Sequence, residues 1–225
     1  MIIIGVTGGM GAGKSRVLAY LEEKWNARTI RLDDVSRELL EKNGLCYEET
    51  IHIFGKKIVK PDGNLDRALI AKMIFEDSRL RDRLNALVHP AVKAQVRWLA
   101  EEMRQLDAGL LVVEAALLIE GGYKEICDEI WYIYADEKVR RERLRESRGY
   151  TDERIDGTFA TQLTDEAFRA HVDFVIDNSG SFEDAARVID HRIRQITGKF
   201  SGKKADDSGH QSSDGKYISN ERSFT

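Results

Sequence analysis

The chain has 225 residues, 42% hydrophobic and 33% charged, with 35 Lys and Arg against 39 Asp and Glu. That length supports one full core, and a net charge of −4 argues against a general nucleic-acid binder. No apolar run reaches the length of a membrane span, and the start MIIIG lacks the basic segment that opens a signal peptide. Cys46 and Cys127 stand apart without metal-ligand spacing, which reads as reduced thiols in a cytoplasmic protein.

In chain order, residues 2–6 form a short apolar run, as expected of a strand buried on both faces. A glycine-rich stretch follows, and residues 14–25 then carry Val17, Leu18 and Leu21 at helical spacing. A second strand over about 27–32 ends at Asp33 and Asp34. Residues 35–106 read as mainly helical, broken by the turn KPDGN at 60–64. LLVVE at 110–114 and EIWYIYAD at 129–136 are further strands, and DFVIDNSG at 173–180 gives a fifth strand and a turn. Segments 138–148, 151–170 and 182–197 read as helices. From about residue 199 apolar periodicity ends, and 199–225 reads as a disordered tail. Alternating strands and helices predict an α/β protein with a five-stranded, mostly parallel sheet flanked by helices.

Chemistry concentrates in the glycine-rich stretch GVTGGMGAGKSR at 5–16. Gly8-x4-Gly13-Lys14-Ser15 has the spacing of a phosphate-binding loop between a strand and a helix. Gly8, Gly9, Met10, Gly11, Ala12 and Gly13 supply backbone N–H groups for an anion nest, and the helix start adds its positive end. Lys14 reaches the β- and γ-phosphates of a nucleoside triphosphate, and the Ser15 hydroxyl is placed to ligate Mg²⁺. No NKxD-type base-reading motif follows, which argues against a GTPase and directs attention to a small kinase.

In open α/β sheets ligands bind beyond the carboxyl ends of the strands. Of Asp33 and Asp34, one is expected to cap the following helix and the other, Asp33, to face an acceptor hydroxyl. Glu114 at the end of the third strand suits the acid that holds a magnesium-bound water. The arginine-rich segment 138–148 fits either a lid over phosphates or a solvated helix face paired with Glu137, Glu142 and Glu146. Trp98 and Trp131 read as core.

These residues together resemble the dephospho-CoA kinase family. The resemblance rests on GVTGGMGAGKS, the acidic pair with Val35, Ser36 and Arg37, LNALVHPAV at 84–92, EAALLIE at 114–120, Arg143-Leu144 with Arg148, Gln162, and VIDNSG at 175–180. It implies a P-loop kinase fold over 1–198, with a helical acceptor-binding region at about 35–106 and a lid at about 138–165. It also implies ATP and Mg²⁺ as cofactors and phosphorylation of the 3′-hydroxyl of the dephospho-CoA ribose. Gly11 to Arg16 then form the centre of the ATP loop, Asp33 takes the acidic position near the acceptor, Arg143 and Arg148 fall on or near lid arginines, and Asn178 lies in the turn that approaches the adenine. Arg31, Glu114, Ala116 and Arg16 stand where the family pattern has Asp, Asp, Pro and Thr, and Arg148 sits one residue beyond the common spacing.

Three further positions remain open on sequence grounds. His89, before Pro90, is either an acceptor-site residue or a helix-entry histidine; Arg67 reaches an acceptor phosphate or forms a surface ion pair; Gln162 faces the nucleotide or the acceptor. Two rival functions are a kinase for another small molecule and a nucleotide-binding switch without transfer.

Overall fold

The structure is a computed structural model and describes residues 1–106 and 109–206. Its sheet has five strands, all parallel, in the order β2-β3-β1-β4-β5: β1 (Ile2–Thr7), β2 (Arg28–Arg31), β3 (Leu110–Glu114), β4 (Glu129–Tyr134) and β5 (Phe174–Asp177). Burial follows this order. Every residue of central β1 is buried, β3 and β4 are buried except at their ends, and edge β2 has no buried residue. Apolar runs without alternation are what a strand covered on both faces requires.

The helices are α1 (Lys14–Trp25), α2 (Leu32–Leu39), α3 (Tyr47–Phe54), α4 (Arg67–Glu76), α5 (Ser78–Gln105), α6 (Glu137–Arg148), α7 (Asp152–Phe159), α8 (Asp165–Arg169) and α9 (Phe182–Asp206). Val88, Val92, Val96 and Ala100 of α5 share a core with Leu111 and Val113 of β3. Their spacing of four residues makes one face of a helix. A second core joins Tyr47, Phe54, Ile58, Leu65 and Ile70 beneath α3 and α4. The expected turn at 60–64 is present: Gly63 N–H donates to the Lys60 carbonyl at 2.9 Å, and Val59 pairs antiparallel with Leu65.

Three expectations need correction. His89 does not enter a helix; it lies inside α5, which continues through Pro90, and its side chain is exposed. Packing of the valine face on the sheet outweighs the hydrogen bond that proline removes. Trp98 is not core but 57% exposed on α5, whereas Trp131 is fully buried. The last helix runs beyond residue 197 to Asp206, because no proline blocks its continuation past Gly198; residues 207–225 of the expected tail lie outside the described residues. The described residues divide into a compact unit Met1–Val188, which holds the sheet and α1–α8, and a second unit that begins at Ile189 within α9.

Candidate active site

Strand register sets the site. Val6 pairs with Glu114, and Glu114 pairs with Arg31, so β1, β3 and β2 end level with one another. Just beyond that row the chain enters the glycine-rich loop from β1 and the first turn of α2 from β2. A cavity of about 750 Å³ opens there and brings together Lys14, Ser15, Asp33, Glu114, Arg143 and Arg148. Gly8, Gly9, Met10, Gly11, Gly13, Arg16, Gln162 and Asn178 also line it, whereas the Ala12 side chain is buried away from it.

The loop has the backbone that an anion nest needs. Gly13 precedes α1 at φ 92°, a left-handed conformation that a side chain would strain. Lys14 turns back over the loop and donates through Nζ to the Gly8 carbonyl at 2.7 Å. Burial lowers its pKa; the nearby Glu114 and Asp33 carboxylates oppose that shift, and Arg140 adds to it. The Glu114 carboxyl is pushed up, first by burial and then by Asp33 and Asp34, with Lys14 opposing. Glu114 and Lys14 are thus both partly withdrawn from water, within electrostatic reach of each other and of the exposed Asp33. Arg16 lines the cavity's edge, with its guanidinium 4.1 Å from the centre of the Phe182 ring.

Neither acid of the pair caps α2: the cap position is Arg31, and it makes no side-chain cap bond. Both acids sit in the helix's first turn, where its dipole favours them. Asp34 ion-pairs with Arg37 at 3.1 Å on the exposed side. Asp33 instead faces the large cavity and also lines a second, adjoining one of about 350 Å³. That second cavity has Arg37 and Arg67 with apolar Leu40, Ile70 and Leu84 in its wall. Arg67 donates to the Arg37 carbonyl at 3.3 Å, which places both arginines at the same cavity. His89 lines neither.

The arginine-rich segment divides by face. Arg141 pairs with Glu137, one of the partners expected for a solvated face, and with Asp156, while Arg145 pairs with Asp152 of α7. Arg143 faces inward, donating to the Asn178 carbonyl at 2.9 Å and to the Ala12 carbonyl at 3.4 Å. Arg148 lines the large cavity beside Tyr150. Asn178, expected near an adenine, is 2% exposed, and its side-chain amide is committed to the Ala12 carbonyl at 2.8 Å. Its Nδ2 lies 2.3 Å from where a Cβ on Gly13 would stand, so the glycine is required on this side as well.

Arg140 escaped sequence reasoning. It donates through Nε to the Met10 carbonyl at 2.9 Å and through Nη2 to Gln162 Oε1 at 2.6 Å, and the same oxygen accepts from Met10 N–H at 3.3 Å. One signal was available: Leu144, four residues on, is apolar and buried, which places Arg140 on the inward face of α6.

Similarity to known proteins agrees with this geometry. A family model described as dephospho-CoA kinase matches residues 2–184. The chain is 34% identical over 199 residues to a dephospho-CoA kinase of Geobacter sulfurreducens, covering 88% of this chain and 98% of the relative. A dephospho-CoA kinase of Dehalococcoides mccartyi is 32% identical over 184 residues, covering 82% and 92%. Among solved structures, TT1252 from Thermus thermophilus matches with a TM-score of 0.72 and 31% identity over 87% of this chain and 97% of that one. The dephospho-CoA kinase from Campylobacter jejuni has the same fold, with a TM-score of 0.67 at 21% identity over 88% of this chain and 98% of that one. With a phosphate loop, an acid at the adjoining strand end and relatives matched over nearly their whole length, the chain belongs to the dephospho-CoA kinase family.

Proposed function

We propose that the protein transfers the γ-phosphoryl group of ATP to the 3′-hydroxyl of the dephospho-CoA ribose, giving coenzyme A and ADP. The observation that carries this reading is the position of Asp33, which lines both the phosphate-loop cavity and the second cavity. A hydroxyl entering from the second cavity would meet this carboxylate as it faces the γ-phosphate. The 3′-oxygen forms the new bond to phosphorus, the bond to the β–γ bridging oxygen breaks, and the hydroxyl proton passes to Asp33 as transfer proceeds. Lys14 and Arg148 offset charge on the transferring group, while the loop N–H groups hold the phosphates in line.

Residues for Mg²⁺ fit the group. An exposed Ser15 hydroxyl and the Glu114 carboxylate line the same cavity, an oxygen-only pair suited to a cation that keeps waters and binds through phosphates. When bound, Mg²⁺ neutralises phosphate charge. On this reading Arg67 and Arg37, which line the second cavity, would meet the acceptor's diphosphate, and the apolar residues beside them would meet its pantetheine arm. Two buried free thiols, Cys46 and Cys127, support a cytoplasmic setting. No helix among the described residues is long and apolar enough to cross a membrane.

The test is an acceptor panel with Mg·ATP: dephospho-CoA, AMP, adenosine and no acceptor. The reading expects ADP release only with dephospho-CoA. Equal transfer to AMP would favour a nucleotide kinase, and ATP binding without transfer to any acceptor would favour a switch.

A further inference from the structure

Arg140 stands behind the phosphate loop, outside the roles described so far. Its two bonds run from one guanidinium to two segments far apart in sequence: the Met10 carbonyl in the loop, and Gln162 beyond α7. Gln162 returns the connection by accepting the Met10 N–H, so both polar groups of the Met10 backbone are held by this pair of side chains. The guanidinium also lies 4.1 Å from the centre of the Phe159 ring, within cation–π range. A fork with fixed donor directions suits this two-point attachment in a way that a lysine ammonium does not.

Two further observations separate Arg140 from its neighbours. A Cβ on Gly9 would stand 2.4 Å from Arg140 Nη2 and 2.9 Å from Gln162 Oε1, so the glycine-rich loop makes room for this bridge as well as for phosphate. Arg141 and Arg145 are paired with carboxylates, whereas Arg140 meets only neutral acceptors among the described residues. Its positive charge, with Glu137 also within electrostatic reach, lies against the loop and is felt by Lys14.

We propose that Arg140 is a positioning residue for the nucleotide: with Gln162 it locks the Met10 peptide in the conformation that receives ATP phosphates, and its charge beside the loop strengthens that hold. It touches the loop and not the acceptor. The proposal rests on reading the large cavity as the ATP site, and it is silent on which acceptor is phosphorylated.

Direct titration of ATP by calorimetry, without acceptor, tests it on purified Arg140→Gln, Arg140→Lys and Gln162→Ala, with Arg141→Gln as the surface control. Arg140→Gln should weaken ATP binding about tenfold, Arg140→Lys less because it keeps the charge, and Arg141→Gln not at all. In steady-state assays the KM for ATP should rise with Arg140→Gln while the KM for dephospho-CoA stays within about twofold. Wild-type ATP affinity in Arg140→Gln, or an equal rise in both KM values, would overturn the proposal. If Arg140→Gln fails to fold, Gln162→Ala decides: unchanged ATP affinity in that variant would overturn it too. Failure of the wild type to phosphorylate dephospho-CoA would sink the substrate assignment and leave the calorimetric result standing.

Discussion

Asn178, at the end of the last strand, donates its side-chain amide to the carbonyl of Ala12 across 166 residues of sequence, at 2.8 Å. The bond is buried, and the Asn178 backbone carbonyl meanwhile accepts from Arg143. One asparagine therefore ties the phosphate loop to β5 and to α6. Asn178→Ala would leave the Ala12 carbonyl without this partner, a loss of roughly 1–3 kcal/mol. Thermal unfolding should show a midpoint lowered by several degrees, and ATP affinity should fall with it. An unchanged melting temperature would mean that water or a neighbour replaces the bond.

Asp33→Asn should reduce kcat by roughly 10²- to 10⁴-fold, the range of a lost general base, with little change in the KM for ATP. The basis is that Asp33 adjoins the acceptor cavity and caps nothing. Steady-state kinetics with each substrate varied would decide. Equal losses in kcat and ATP affinity would make Asp33 a nucleotide-binding residue instead.

Lys14→Ala should lower transfer by at least 10²-fold, as for removal of one preorganised donor to a developing anion. It should leave the fold intact. Burial already disfavours the charged form of Lys14, so the free protein loses an unfavourable dehydrated charge along with the bond to Gly8. Circular dichroism beside the activity assay checks both halves; substantial remaining activity would remove the phosphate-site argument.

Glu114 gives a pH dependence with a definite sign. Burial is the main cause that holds its carboxyl above the ordinary range in the fold. Its contribution to stability is therefore fully present below the unfolded-state pKa and lost as pH rises through the higher folded-state value. Glu114→Gln does not titrate. The nucleotide-free variant should melt higher than wild type at pH 8, have little such advantage at pH 4, and transfer phosphate poorly at either. A melting difference independent of pH would contradict the assignment of burial as the cause.

Cys127 offers a check on the core. Burial, reinforced by Asp128 and Asp173, pushes its thiol up to about 12, and Cys46 is raised by burial as well. Neither thiol should react with a disulfide reagent at pH 8 in the folded protein, and both should react after unfolding. Rapid reaction of either in the native state would show that the core around α3 or the entry to β4 opens.

Much of the site was legible because local pattern and chemistry coincide there. The run at 2–6 and the glycine spacing after it specify a strand, a turn and a helix start within sixteen residues, and Asp33 and Glu114 follow from where β2 and β3 end. What stayed hidden depends on contacts between distant segments. Nothing near Asn178 announces that its amide is spent on Ala12, and nothing near Arg140 announces Met10. A helical wheel groups Arg141, Arg145 and Arg148, but only the partners Asp152 and Asp156 show that the first two are solvated pairs. His89 was misplaced for a related reason: Pro90 marks a helix start by local rule, and the valine face of α5 overrides it.

The measurement closest to the central claim is phosphorus NMR of the product formed from ATP and dephospho-CoA by the wild-type protein. The account predicts a new phosphomonoester on the 3′-oxygen of the ribose, appearing in step with ADP and absent with Asp33→Asn. ADP appearing without that ester, or an ester at another position, would contradict it.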